Sequence, residues 1–571
     1  MLKTSRMFFL LVIFCASMNM LAQVPDYIQA YRNDSAGTVN ARREAIFDGN
    51  KVRSLFYNNG EIGKWKFQPS GEWQKGSGHS YLDGYTLLVA AEVTAPGNSQ
   101  VFHTVETSYR EYMDVDPVTG LIWGFEPIPG YNNFSHGNIA TSTDPASWPA
   151  VWPAAMNRSS FDGHWLGYFG RDVFNSDFES FFVMDDSKDY EYTRAPYKFF
   201  PILSDTARGG LGTRVETRIM QWQSKAIEDV AYIIYQIFNI SDFDYAKTCY
   251  GLYVDAGIGG PDDSQDDVAT GNKLDDMVYM YDFNGLGSPV SWKTGYMGCA
   301  LLQTPSNATN GVDDDDDGMI DERQDDGIDN DHDWNALTDD VGMDGIAGTL
   351  DQGEGDGVPT LGEPNFDYTD LHEADMLGLT SLSIYSLGGG GTGGGWPKDD
   401  ESMWLKMNSG FVDTSIMNSN VSLVMATGPF LSEKWKSNRF TSALLFSNTL
   451  DSLKLTKAFA QKFYESNFNA ALLTGNSDGQ RAQANTLELH DNYPNPFNPV
   501  TTISFSIAKT GMVLLKIYDT RAAEIQTLLN REMSAGTHSV AFYAGTFTSV
   551  VYFYKLISGE QMLTKKMVLL K

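Results

Sequence analysis

The sequence predicts a mainly β, multi-domain protein. An antiparallel β-sandwich body carries an acidic, Asp-rich loop segment and one notable helix, and a small C-terminal β-sandwich follows it. Three observations lead there. Residues 232–240, 250–254 and 277–281 are aromatic and β-branched runs of the kind that fill sheet interiors. Asn59-Gly60 and Asp83-Gly84 are turn dipeptides beside apolar segments, the second preceding a run over 85–93. Beyond the proline-punctuated stretch 493–499, short alternating segments recur at close spacing.

Composition bounds the alternatives. The chain has 571 residues, 42% hydrophobic and 13% aromatic, enough for several packed cores. Its formal net charge of −32 argues against nucleic acid as a partner, because phosphates demand a basic surface. Three cysteines exclude a disulfide scaffold or a cysteine-rich zinc protein. Cys249 and Cys299 read equally as a disulfide or as two buried thiols.

Taken in chain order, residues 1–23 read as a secretory signal peptide. Lys3 and Arg6 precede an apolar run over 7–16, and Ala22-Gln23 supplies the small-residue cleavage region. No later stretch reaches eighteen consecutive apolar residues, so no transmembrane helix is expected in the mature chain. Residues 24–469 form the β-rich body. Its helix is expected after Asn448 as cap, with Asp451 in the first turn and Leu455, Phe459 and Phe463 at i, i+4 spacing. The glycine run 388–395 reads as a flexible loop, and 470–486 as a polar linker into a domain over 487–571.

The acidic insertion, 311–375, holds 23 acidic side chains against one arginine, Arg323. Asp313, Asp315 and Asp317 precede Gly318, and Asp321 stands at position nine of that loop. Alternate aspartates ahead of a turn glycine let side chains converge on a hard cation. A second register has Asp329, Asp331 and Asp333, with Asp340 at position twelve and Trp334 in the glycine position. Position twelve of the first register is Gln324, so neither matches an EF-hand. The segment resembles the calcium-binding aspartate loops of thrombospondin type 3 repeats and dockerins, and calcium is the expected ion. The bland alternative is solvated charge. A second cluster, Asp255, Asp262, Asp263, Asp266, Asp267, Asp275 and Asp276, reads equally as another ion site or as an acidic loop between strands.

Catalytic signals are weak. Gly475-Asn476-Ser477-Asp478-Gly479 spells G-x-S-x-G, but a nucleophile elbow needs a strand before it and a helix after it. A glycosidase carboxylate pair has no local signature. Trp148, Trp152, Trp165 and Trp222, with Tyr168 and Phe169, read as core in preference to a sugar-stacking platform.

The C-terminal strands carry a resemblance. Ile503, Phe505 and Ile507 share one face, and Val513, Leu515 and Ile517 another. The motifs Tyr493-Pro494-Asn495-Pro496-Phe497-Asn498-Pro499, Ile517-Tyr518-Asp519, Ala535-Gly536-Thr537-His538 and Thr564-Lys565-Lys566-Met567-Val568 occur in order. Residues 487–571 thus resemble the type A C-terminal sorting domain of type IX secretion substrates, an immunoglobulin-like domain related to flagellar hook-capping proteins. Ala522 and Val550 stand where that family has turn glycines. The resemblance implies contact with the type IX machinery and an extracellular or outer-membrane-surface location reached via the periplasm. The body resembles uncharacterised secreted proteins of the same kind. The expected role is structural, adhesive or glycan-contacting, toward cell-surface glycan or extracellular polysaccharide. The alternative is an extracellular polysaccharide hydrolase using an unidentified Asp/Glu pair.

Overall fold

The computed structural model describes residues 23–570 apart from short internal stretches, the longest of them 343–352, 388–396 and 475–486. The signal-peptide residues 1–22, the glycine run and most of the expected linker therefore lie outside the described residues, as does the G-x-S-x-G spelling. The chain divides into two compact units, with the second beginning at Phe468.

The first unit is built on two antiparallel sheets. Five strands run in the order Ser381–Ser386, Val421–Ser432, Tyr245–Ala256, Leu82–Thr94, Val101–Thr107. A ten-stranded sheet runs from Ser415–Ser419 through Asp267–Asn272, Met277–Asp282, Tyr296–Gln303, Ser437–Ser447 and Val230–Asn239 to Thr213–Gln221 and Phe178–Asp185, which pairs in turn with the short strands Glu126–Pro127 and Ala140–Thr141. Period-two alternation explains how they stack. Leu87, Val89, Ala91, Leu252 and Val254 face a core shared with Ile233, Tyr235, Val278, Met280 and Leu444 of the larger sheet. Their neighbours Leu88, Ala90, Cys249 and Tyr253 point the other way, into a separate core.

Helices cover both outer faces. Helix α1, Asp26–Asn33, is short, and helix α2, Asp400–Met407, starts from a capping box between Asp399 and Ser402. Helix α2 buries Met403, Trp404 and Met407 against the smaller sheet, at about 1.5–3 kcal/mol for each such side chain. Helix α3, Leu450–Glu465, covers the larger sheet, where Phe463 meets Trp222 edge-on at 5.1 Å. The body is therefore four layers, α/β/β/α.

Two local expectations are corrected. Thr449, not Asn448, caps α3, and the buried stripe is Leu453, Ala460, Phe463 and Tyr464, whereas Leu455 is 72% exposed. Asp83 and Gly84 lie inside the strand Leu82–Thr94, and Gly84 pairs with Asp255. Asn59-Gly60 does turn the chain, with Gly60 at φ +101°. Cys249 and Cys299 are separate buried thiols.

The second unit pairs Glu488–Leu489, Val500–Ile507 and Gly536–Tyr543 in one sheet. Glu524–Met533, Gly511–Tyr518, Val551–Ser558 and Gln561–Val568 form the other. The two expected faces, Ile503/Phe505/Ile507 and Val513/Leu515/Ile517, are both buried in its core with Tyr554 and Leu556. Phe497 is 2% exposed; its N–H donates to Val568 and its carbonyl accepts from Leu570, clasping the start of the unit to its last strand. Val550 is exposed, and Ala522 is outside the described residues.

Candidate metal centre

The acidic insertion leaves the body between strands Tyr296–Gln303 and Ser381–Ser386. Its neck is closed by backbone pairing. Asn307 N–H donates to Asp375 and Leu377 N–H to Pro305, at 3.2 and 3.1 Å. The neck therefore places Asp375, which is fully buried, beside the first aspartate loop.

That loop is shaped by its own carboxylates. Asp314 N–H donates to Asp375 Oδ1 at 2.7 Å, and Gly311 N–H donates to Asp321 Oδ1 at 2.8 Å. Asp321 itself sits at φ +58°, a conformation aspartate tolerates better than most residues. The result is a group of three: carboxylate oxygens of Asp315, Glu322 and Asp375 all lie within 4.8 Å of one another. Opposite ligands of a calcium ion are about 4.6–5.2 Å apart, given bonds of 2.3–2.6 Å. Glu322 is 4% exposed, and Asp375 Oδ2 is buried with no hydrogen-bond partner. Burial first, then the charges of Asp314 and Asp313, push the Asp375 carboxyl up. Three acids in this arrangement can hold a hard cation through oxygen alone.

Of the eight aspartates expected as ligands, Asp315 joins this group. Asp313 is half-buried beside it, and Asp321 is spent on Gly311. Asp317 and Asp331 lie outside the described residues. In the second register Asp329 is half-buried, Asp333 is exposed, and Asp340 accepts from the backbone of Gly355, Asp356 and Gly357 at 2.6, 3.2 and 2.7 Å. There the buried centre is Glu363, which accepts from Trp334 Nε1, Gly342 N–H and Thr360 N–H at 3.0, 2.9 and 2.9 Å. Trp334 therefore fills its position by hydrogen bonding and not by a sharp turn. Sequence spacing missed Glu322 and Asp375. Glu322 adjoins a counted aspartate, but Asp375 is 61 residues from its partner Asp314, beyond any loop motif.

The tryptophan candidates and the histidines near them are packed or paired within the fold. Trp152, Trp165 and Trp222 are buried, at 3, 0 and 2% exposure, so they are core. His136 and His164 pair with Asp144 and Asp172 at 2.7 and 2.6 Å, and His103 bridges toward Glu401 at 2.6 Å. No described helix is long and apolar enough to cross a membrane.

Comparison with known proteins adds one firm finding. Residues 491–570 match the family of secretion system C-terminal sorting domains. The chain therefore carries a type IX sorting domain, which marks it for export to the cell surface or the extracellular space. No curated protein matches the chain. Among solved structures, a polysaccharide lyase is similar at 6% identity and TM-score 0.23, over 93% of this chain and 47% of that one. Dimeric latent PorU from Porphyromonas gingivalis is similar at 9% identity and TM-score 0.14, over 69% of this chain and 31% of that one. The chain thus spans less than half the length of either, and at such scores neither likeness bears on function.

Proposed function

We propose that a signal peptide carries the chain into the periplasm and that residues 487–571 then pass it to the type IX machinery. At the cell surface or beyond it, the body serves as a calcium-stabilised β-sandwich with a structural, adhesive or glycan-contact role. The sorting domain supports the export half. The observation that supports the calcium half is the meeting of Asp315, Glu322 and Asp375, because three acids brought together at a buried neck repel unless a cation or protons neutralise them.

The test is thermal melting and limited proteolysis of the mature chain, with calcium and with chelator. Calcium at a hundredfold over its dissociation constant adds about 2.7 kcal/mol to the state that binds it. The expected result is a higher melting temperature and protection of residues 311–375. Asp315→Asn, Glu322→Gln and Asp375→Asn together should remove much of both effects. Identical melting curves and identical cleavage with and without calcium would reduce the insertion to solvated charge.

A further inference from the structure

Among the described residues four arginines are buried, and each meets a carboxylate. Arg32 pairs with Asp242, Arg208 with Asp185, Arg214 with Asp34 and Arg218 with Glu179. A guanidinium drawn out of water calls for such a partner, because a buried charge without one is costly. Arg439, in the strand Ser437–Ser447, differs from them. It is half-buried, and among the described residues no carboxylate lies within ion-pair reach of it. Its Nε donates to Gln236 Oε1 and its Nη1 to the Tyr168 hydroxyl, both at 3.0 Å. Both partners are neutral, in a chain with 73 acidic side chains against 41 basic ones.

The surroundings are built by three elements. Phe440 points into the core between the sheets, so Arg439 beside it points outward, and Gln236 stands directly opposite in the neighbouring strand. On one side Thr441, next on the same face, meets the Tyr464 hydroxyl near the end of α3 at 2.7 Å. On the other side Leu166–Gly167 and Gly170–Arg171 pair as a hairpin with Tyr168-Phe169 as its two-residue tip. Tyr168 N–H donates to the buried Glu179 Oε1 at 2.8 Å, which fixes that tip over the sheet. The rings of Tyr168 and Phe169 meet edge-on with centroids 4.8 Å apart, and both are half-buried. The Arg439 guanidinium lies 5.7 Å from the centre of the Tyr168 ring.

We propose that Arg439, Gln236, Tyr168 and Phe169 form a subsite for the carboxylate of an acidic sugar. A guanidinium is a planar fork that matches a carboxylate through two parallel N–H bonds, so a guest carboxylate supplies the countercharge that the chain withholds. The aromatic tip offers apolar ring surface to the sugar, and the amide and hydroxyl are polar groups of the kind that fix a ligand's orientation. The subsite rests on the glycan-contact reading and names the class of glycan. It shares no residue with the acidic insertion and needs no cation.

The experiment is calorimetric titration of the mature chain with polygalacturonate, alginate and hyaluronan, and with the same polymers after their carboxyls are reduced to alcohols. Salt at about 0.15 M screens the chain's overall negative charge. At least one acidic polymer should bind, and its reduced form should bind more weakly by about tenfold or more. R439Q should lose a similar factor, and F169A should weaken the same binding severalfold. Should R439Q not fold, R439K keeps the charge but lacks the fork, and should still weaken binding about fivefold. Reduced polymers that bind as tightly as acidic ones, or acidic binding unchanged in the arginine variant that folds, would overturn the subsite and leave the glycan-contact reading standing. A chain that binds no polymer, acidic or reduced, would overturn both. Binding of a polyaspartate peptide through Arg439 while no polymer binds would give the arginine to a protein partner, and would equally overturn the acidic-sugar proposal.

Discussion

Glu363 is fully buried, and three N–H donors surround its carboxylate. Hydrogen bonds to a charged group contribute about 1.5–3 kcal/mol each. Glu363→Ala should therefore loosen the second half of the insertion by on the order of 3 kcal/mol or more, read as new proteolytic cleavage between residues 333 and 366. Glu179 is held by a different device, an ion pair with Arg218 beside Trp165. A third group sets acid against acid, with the Glu191 N–H donating to Asp189 Oδ1 at 2.8 Å. Glu106, Asp114, Asp189, Glu191 and Asp400 act on one another's charges, and burial is the largest cause of every upward shift among them. The charges of Asp189 and Asp186 add to burial in pushing the Glu106 carboxyl up. Asp114 is pushed up to about 8 and Glu191 to about 7. An unfolded carboxyl titrates near ~4, so the folded state holds protons that the unfolded chain has released. The resulting stability is fully present below ~4 and is lost as pH rises through about 7 to 8. In chelator, Asp114→Asn should gain melting temperature on the unaltered chain between about pH 6 and 9. A constant offset over that range would contradict the assignment.

Helix α2 has only eight residues, yet its buried side chains share a core with residues from all five strands of the smaller sheet. Trp404 is 3% exposed and stacks on His103 with ring centroids 4.7 Å apart. Trp404→Ala should cost about 3–5 kcal/mol by denaturant unfolding, since the rigid sheet beneath cannot collapse into the space. This helix illustrates what the sequence conceals. The strands over 232–240 and 250–254 were legible because a sheet buried on both faces demands continuous apolar residues over five or more positions. An eight-residue helix offers two turns of signal, too few for a period to stand out. Helix α3 was legible as a helix, but its register was not. Leu455 looks as apolar as Leu453, and only the sheet beneath decides which one is covered. The candidate site follows the same rule. Alternation within 313–321 announced an aspartate loop and included Asp315, whereas Asp375 arrives through the pairing of the insertion's neck, a contact between distant residues.

The whole molecule separates an exported body from the unit that addresses it. Deleting residues 487–571 should leave the body folded, with its melting transition intact, but retained in the periplasm on cell fractionation. Normal surface display of the truncated chain would contradict this division. The purified body should show no turnover of esters, peptides or common polysaccharides. A rate abolished by changing one buried Asp or Glu would instead make it an enzyme. The clasp between Phe497 and residues 568–570 adds a matter of timing. Synthesis proceeds from the N-terminus, so Phe497 emerges from the ribosome some seventy residues before its partners. The address cannot be assembled until Leu570 has been made. A chain broken off midway through this unit lacks the partner strand, leaving Phe497 exposed and the closing hydrogen bonds unmade. Closure of the sorting unit thereby reports that translation has run at least to Leu570.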